Sequence, residues 1–236
     1  RNYFSEKFWY LPETRLCFTP PESNLIPSLL PAKQHKYITF GCFQNLSKIN
    51  DAVIKIWGEI FKALPTAKLM LRNKQMSCLE ERESLQQRLS QVGISPKQVK
   101  IGGMLAREDY LAEYMDMDIM LDTFPYPGGT TTCEALWMGV PTLTLSGDTL
   151  LARQGASLLS CADLQDWIAQ SEEEYIAKAI QHSANIELLS VLRENLRAQI
   201  LETALFDASR FSKQFEDAML GMWNQKLLEE SEGLSH

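Results

Sequence analysis

The chain has 236 residues, 45% of them hydrophobic and 22% charged, with a formal net charge of −7. That length and apolar content suit one large domain, or one and a half small ones, around a sizeable core. The acidic balance without a long basic run argues against nucleic acid as the main partner, and no stretch approaches the roughly 18 to 20 continuous apolar residues of a membrane span.

Residues 1–36 are rich in aromatics and proline and hold no sustained period, which reads as a linker that wraps another surface. From Tyr37 the pattern turns regular. YITFGCF predicts a strand, and Val53, Ile56, Trp57, Ile60 and Leu64 follow the i, i+3, i+4, i+7 spacing of a helix that Pro65 stops. Lys68 to Leu71 predicts a second strand, Leu79 to Val92 a helix closed by Gly93 as a C-cap glycine, and Val99 to Ile101 a third strand. Glu108 to Tyr114 predicts a short helix, Ile119 to Leu121 a fourth strand, Thr131 to Met138 a helix, and Pro141 to Leu145 a fifth strand. Strand and helix alternate throughout, which implies an α/β fold with a doubly wound parallel sheet from about Tyr37 to Leu145. From Leu151 to Leu228 strand signals vanish and several helices follow, ahead of a charged tail, Glu229 to His236, expected to fray.

Open parallel sheets bind ligands beyond the carboxyl ends of their strands. The most informative such loop lies in LDTFPYPGGTTTCEALWMGVPTLTL, residues 121–145. Gly128 and Gly129 let backbone approach a phosphate, and Thr130 to Thr132 can cap the next helix while offering N–H and hydroxyl donors. Glu134, about one turn in, faces the same mouth and can accept two hydrogen bonds from a ribose diol. Phosphate donors beside a ribose acceptor suggest a nucleotide. The same Gly-Gly-Thr turn is also ordinary capping chemistry with no ligand, and the local pattern leaves both readings open. It is neither a phosphate loop, lacking Gly-Lys-Ser/Thr, nor a G-x-G-x-x-G fingerprint.

The neighbouring loops add weaker signals. Gln44, Asn45 and Lys48 offer an amide pair and a lysine ahead of a helix, although a solvated lysine near an Asn50 or Asp51 N-cap is the simpler local account. Gly102 to Arg107 offers flexible backbone and a guanidinium that a surface arginine explains equally well. Asp116-Met117-Asp118 matches the D-x-D of metal-dependent sugar transferases, yet it precedes its strand and so falls on the wrong edge of the sheet. His35, His182 and His236 lie outside these loops, and no Ser/His/Asp or Cys/His set assembles. Cys17, Cys42, Cys78, Cys133 and Cys161 are scattered without C-x-x-C pairing, as reduced, buried thiols are, and Cys133 reads as packing. No signal-peptide pattern opens the chain, so a cytoplasmic protein is expected; Arg1 is not a natural start, and upstream sequence that could carry a signal is expected before it.

Taken together, FQNLSKI, IGGMLAREDY, LDTFPYPGGTTTCEALWMGVPTLTL and GDTLLARQGASLL resemble the C-terminal catalytic half of the O-linked N-acetylglucosamine transferase and SPINDLY family, as a bacterial member of it. The resemblance implies the Rossmann-like C-terminal lobe of a two-lobed GT-B glycosyltransferase, followed by C-terminal helices, and inversion with neither an essential metal nor another cofactor. The family's nucleotide-contacting, catalytic lysine falls on Lys48 and its preceding amide on Asn45. Its paired threonines fall on Thr130 and Thr131, its ribose-binding carboxylate on Glu134, and the segment flanking the base on Leu105 to Arg107. Three positions depart from the animal enzymes: Gly129 stands for a histidine, Tyr110 for the base-stacking histidine and Arg107 for a lysine. The implied reaction transfers N-acetylglucosamine from UDP-GlcNAc to Ser/Thr hydroxyls of proteins. Fucose transfer from GDP-fucose and a non-catalytic nucleotide-sugar-binding module are the alternatives.

The implied organisation is a linker from a missing N-terminal lobe at 1–36, a nucleotide-sugar-binding lobe at 37–170, C-terminal helices bracing the two lobes at 171–228, and a tail at 229–236. The expected partners are a nucleotide sugar and a protein or peptide acceptor bound through the missing lobe and upstream helical repeats, with no nucleic acid and no membrane. The chain alone is expected to be inactive and to leave apolar surface exposed on its C-terminal helices.

Overall fold

The computed structural model describes residues 5–233. Six strands form the sheet: Thr39–Cys42 (β1), Lys68–Arg72 (β2), Val99–Gly102 (β3), Ile119–Leu121 (β4), Thr142–Leu145 (β5) and Ile168–Ala169 (β6). They lie in the order β3-β2-β1-β4-β5-β6, every neighbouring pair parallel. This is the doubly wound sheet that the alternation of periods implies. The sixth strand corrects the expectation that strand signals end near Leu151. β6 has two residues, too few to show a period, and becomes a strand only because Ile168 and Ala169 pair with Thr144 and Leu145.

Local chemistry sets the first helices where periodicity predicts them. Asn50 caps Asp51–Ala63 (α2) by accepting from the Val53 N–H at 3.0 Å, and the stripe Val53, Ile56, Trp57 and Ile60 is buried. Leu79–Gln91 (α3) ends two residues before Gly93, whose φ of +88° and N–H bond to Ser90 O make the left-handed exit that glycine favours. Arg107–Ala112 (α4) continues as a 3₁₀ turn, Glu113–Asp116, and Thr130–Trp137 (α5) and Gln154–Cys161 (α6) follow β4 and β5. Right-handed crossovers place α2 and α3 on one face and α5 and α6 on the other. Beyond β6, Glu172–Ala184 (α7) packs on α2 and β5, and Ile186–Leu201 (α8) packs on α5.

A strap, residues 5–30, runs back over these helices to a short helix, Pro31–His35 (α1). The Phe18 N–H donates to Leu205 O at 2.8 Å, and Arg197 donates to Leu25 O at 2.8 Å. The last helix, Ala208–Gly233 (α9), presents Phe215, Met219, Leu220, Trp223 and Leu228 to solvent. It stays helical through residues 229–233, where fraying is expected, with Lys226 paired to Glu230 one turn on; residues 234–236 of that tail lie outside the described residues. No helix among the described residues is long and apolar enough to cross a membrane.

Candidate functional site

β1 and β4 are neighbours from which the sheet is built outward in opposite directions, so the loops at their carboxyl ends meet at the topological switch point. Asp122, the residue after β4, is fully buried and organises that meeting. Its Oδ1 accepts from the Gly128 N–H at 2.7 Å, the Thr123 N–H at 3.0 Å and Gln44 Nε2 at 3.2 Å, and its Oδ2 accepts from Thr144 Oγ1 at 2.8 Å. Burial pushes the Asp122 carboxyl up to about 6 against those bonds and the charge of Lys48. In the sequence Asp122 reads only as the first residue of the loop. Its position at a strand's carboxyl end was the available signal.

The Gly128 N–H, which the sequence offers to a phosphate, is therefore taken by Asp122. Gly128 is required for space instead: a Cβ there would collide with the Gln44 amide and the Thr132 hydroxyl. The start of α5 is what remains free. Gly129 precedes it without a side-chain cap, so the threonines do not cap the helix as expected. The Thr131 and Thr132 hydroxyls are shielded from solvent and have no hydrogen-bond partner among the described residues. First-turn N–H groups, two unpartnered hydroxyls and the positive end of the helix dipole lie together at this helix start, the chemistry that suits an anion. Thr130 is exposed beside them.

Lys48 reaches the same loop from β1. Its ammonium donates to Pro127 O at 3.0 Å and lies 3.8 Å from the Tyr126 ring centroid. Burial pulls Lys48 below the usual lysine range, and Asp122 opposes that shift. Asn45 accepts from the Ser47 N–H at 3.0 Å and so caps the 3₁₀ turn Leu46–Lys48 that carries the lysine. Asn50 donates to Phe124 O at 2.7 Å, a second tie between the two loops.

A second cluster surrounds Glu134, whose side chain is 3% exposed. Its Oε1 accepts from Arg107 at 2.5 Å, and its Oε2 accepts from the Tyr110 hydroxyl at 2.9 Å and the Tyr114 hydroxyl at 3.4 Å. The carboxylate expected to face a ribose is thus held by protein donors. Arg107, 55% exposed, is the partner that can swing away. Burial first, then the Glu134 carboxylate, pushes the Tyr110 phenol up, which keeps it a donor. Its ring, expected to stack on a base, packs 5.4 Å from Phe43 and 5.6 Å from Tyr114, and Leu105 is half-buried in the preceding loop. The Tyr114 hydroxyl also lies 3.4 Å from Thr131 O, which joins this cluster to the start of α5.

Gln154, at the start of α6, also reaches the turn: its Nε2 donates to Gly128 O at 2.9 Å. The two carboxylates of the D-x-D lie at the opposite edge of the sheet. Asp118 is buried and accepts from the Thr39 N–H at 2.7 Å and the Ala32 N–H at 2.8 Å, whereas Asp116 pairs with Lys100 at 3.8 Å. No group of three or more His, Cys, Asp or Glu side chains converges as a metal site among the described residues. Burial pushes the Cys42 and Cys133 thiols up to about 12, far from nucleophilic thiolates.

Known proteins resemble this chain in sequence and in fold. The chain is 37% identical over 222 residues to the Solanum lycopersicum protein named probable UDP-N-acetylglucosamine–peptide N-acetylglucosaminyltransferase SPINDLY, covering 93% of this chain and 24% of that protein. It is 29% identical to the SEC protein of Arabidopsis thaliana, with 94% and 23% covered. The structure matches an O-GlcNAc transferase of Thermobaculum terrenum with a TM-score of 0.80 at 36% identity, over 88% of this chain and 39% of that one. An Anabaena protein solved with UDP-glucose shares the fold at 16% identity and a TM-score of 0.56. The architecture is that of one lobe of a GT-B glycosyltransferase, and the chain spans about a quarter of the length of its curated SPINDLY relatives. The sequence pattern that matches residues 30–215 takes in both loops of the switch point and the helix between Thr130 and Trp137, and by it the chain belongs to glycosyl transferase family 41.

Proposed function

We propose that this chain is the donor-binding half of an inverting protein O-glycosyltransferase that transfers N-acetylglucosamine from UDP-GlcNAc to Ser/Thr hydroxyls in the cytoplasm. The observation that carries the reading is the uncapped start of α5, with the unpartnered Thr131 and Thr132 hydroxyls, on the loop that Lys48 contacts. In such a transfer the acceptor hydroxyl attacks the anomeric carbon and negative charge grows on the departing diphosphate. Donors fixed at that charge act chiefly on the transition state. The reading assigns this role to Lys48, Thr130, Thr131 and the helix start rather than to a metal ion or another cofactor, and the base and ribose to Leu105, Arg107, Tyr110 and Glu134. The acceptor would bind through an upstream lobe and helical repeats, with the exposed apolar face of α9 as a brace between lobes.

Fucose transfer from GDP-fucose is the second reading. Arg107 favours it, because a planar guanidinium matches the O6/N7 edge of guanine.

Calorimetric titration of the full-length protein with UDP, GDP, UDP-GlcNAc and GDP-fucose, alongside Lys48→Ala and Thr131→Ala, tests the choice. Saturable binding of the uridine pair, lost in both variants, with transfer slowed about 10²- to 10³-fold by Lys48→Ala, supports the first reading. Binding of the guanosine pair alone selects the second. Binding without transfer indicates a sensing module, and binding of neither overturns the donor site.

A further inference from the structure

One cation at this mouth comes from outside the sheet. The strap is fixed on both sides of Arg15: Arg210 and Gln214 Nε2 of α9 hold the Glu13 carboxylate, the latter at 2.6 Å, and the Phe18 N–H is bound to Leu205 O. Thr14, between them, is buried. Arg15 itself is exposed, and its guanidinium donates to Gln154 Oε1. Gln154 donates onward to Gly128 O, and its Nε2 would lie 3.0 Å from a Cβ on Gly129. Two hydrogen bonds therefore carry Arg15 to the turn that opens α5. Arg15 forms no ion pair among the described residues. Gln154 is neutral, so the guanidinium keeps its full charge near the positive end of α5, and most of its five N–H donors are open. The guanidinium and the helix end repel each other, the buried Asp122 carboxylate beneath the turn offsets part of that repulsion, and an anion between them relieves the rest. Arg15 also lies outside residues 30–215, the span that matches the family.

We propose that Arg15 is a further donor-recognising residue, which takes an anionic oxygen of the nucleotide sugar's diphosphate from the α6 side of the turn as Lys48 does from the β1 side. This rests on the reading of the site as a nucleotide-sugar pocket. Gln154 is the positioning residue. The strap then does more than wrap the lobe, because it brings a guanidinium to the α6 side of the turn.

The test uses the full-length protein and its Arg15→Ala, Arg15→Lys, Gln154→Ala and Lys48→Ala variants. UDP and GDP are titrated by calorimetry at two salt concentrations, and the free nucleosides by ligand-observed NMR at millimolar concentration. For the diphosphate that binds wild type, Arg15→Ala is expected to weaken affinity about tenfold or more and to flatten its salt dependence. Nucleoside affinity and the thermal midpoint stay unchanged, Arg15→Lys recovers part of the loss, and Gln154→Ala falls between. Equal weakening of nucleoside and diphosphate, or a lowered thermal midpoint, means strap packing and overturns the proposal. Wild-type diphosphate binding in Arg15→Ala, with loss in Lys48→Ala, overturns it while leaving the pocket intact. No diphosphate binding by wild type overturns both.

Discussion

The Gly128 N–H donates to Asp122 Oδ1 at 2.7 Å, and this one bond decides which donors of the turn are left for a ligand. A buried carboxylate draws Gly128, Thr123 and Gln44 inward, so the loop closes on itself and the start of α5 is left with the Thr131 and Thr132 hydroxyls unpartnered. Electrostatics at this site is thus layered: a negative group beneath shapes the backbone, and the positive end of α5 lies above it.

That arrangement makes stability depend on pH through Asp122. Its carboxyl is raised from 3.8 to about 6, chiefly by burial, and the titratable groups facing it are Lys48, Cys42 and Tyr175. For a carboxyl raised on folding, the protonated form is the one the fold favours. Its contribution is complete below 3.8 and lost as pH rises through about 6, with an amplitude on the order of 3 kcal/mol. Asparagine keeps an acceptor for Gly128 and can donate to Thr144. Urea unfolding of Asp122→Asn is therefore expected to vary less between about pH 4 and about pH 7 than that of wild type. Parallel profiles for the two proteins would falsify the assignment.

Glu134 separates structural from ligand roles. Glu134→Gln keeps an acceptor for Tyr110 and Tyr114 and loses only the pair with the half-exposed Arg107, so stability should change by less than about 1 kcal/mol. Glu134→Ala strips the acceptor from buried phenols and should lose about 1–3 kcal/mol. Both should weaken nucleoside diphosphate binding if a ribose replaces Arg107 on the carboxylate. Unchanged affinity in Glu134→Gln assigns the residue to the aromatic cluster alone.

Much of this fold is legible from periodicity. The stripe from Val53 to Ile60 and the Gly93 exit are local signals, and the structure keeps both because burial and backbone conformation agree with them. β6 is not legible, because two residues become a strand only through their partners on β5. The site divides in the same way. Thr131 and Glu134 stand out because the loop-to-helix pattern places them at one sheet edge, whereas Lys48, locally a solvated lysine, stands out only through the family resemblance. That Asp122 takes the Gly128 N–H, that Arg107 covers Glu134 and that Gln154 reaches Gly128 all depend on contacts across 6 to 27 positions, which no local pattern encodes.

Arg193 should prove the most sensitive position away from the site. It is fully buried on α8, and its guanidinium donates to Ser28 O at 2.8 Å, Met117 O at 2.7 Å and Ser28 Oγ at 2.9 Å. Burial pulls it down to about 10, still protonated at neutral pH, with Asp118 opposing the shift. Arg193→Met leaves these acceptors and Asp118 uncompensated and should lose about 3–5 kcal/mol in denaturant unfolding. Arg193→Lys should recover little of it, because an ammonium cannot reproduce the planar fork. A lysine variant within about 1 kcal/mol of wild type would show that charge, and not geometry, holds the strap to the 3₁₀ turn after α4.

Gly128 and Gly129 offer the sharpest paired test of the site, because they differ in what surrounds them. Neither has the positive φ that glycine alone tolerates. A Cβ on Gly128 would press on the Gln44 amide, which supports Asp122, on the Thr132 hydroxyl, and on the Thr131 hydroxyl, which the donor reading reserves for an anion. Nothing in that shell can yield without breaking the loop. Gly128→Ala should lose about 1–3 kcal/mol of stability, as overpacking does, and weaken nucleoside diphosphate binding at least tenfold. A Cβ on Gly129 meets only the end of the flexible Gln154 side chain at 3.0 Å, so Gly129→Ala should stay within about 1 kcal/mol of wild type and bind the diphosphate nearly as well. Calorimetry and thermal unfolding on the two variants decide it. Equal losses at both positions would mean that the turn is needed for its flexibility and that the close packing of Gln44, Thr131 and Thr132 around Gly128 does not set the pocket.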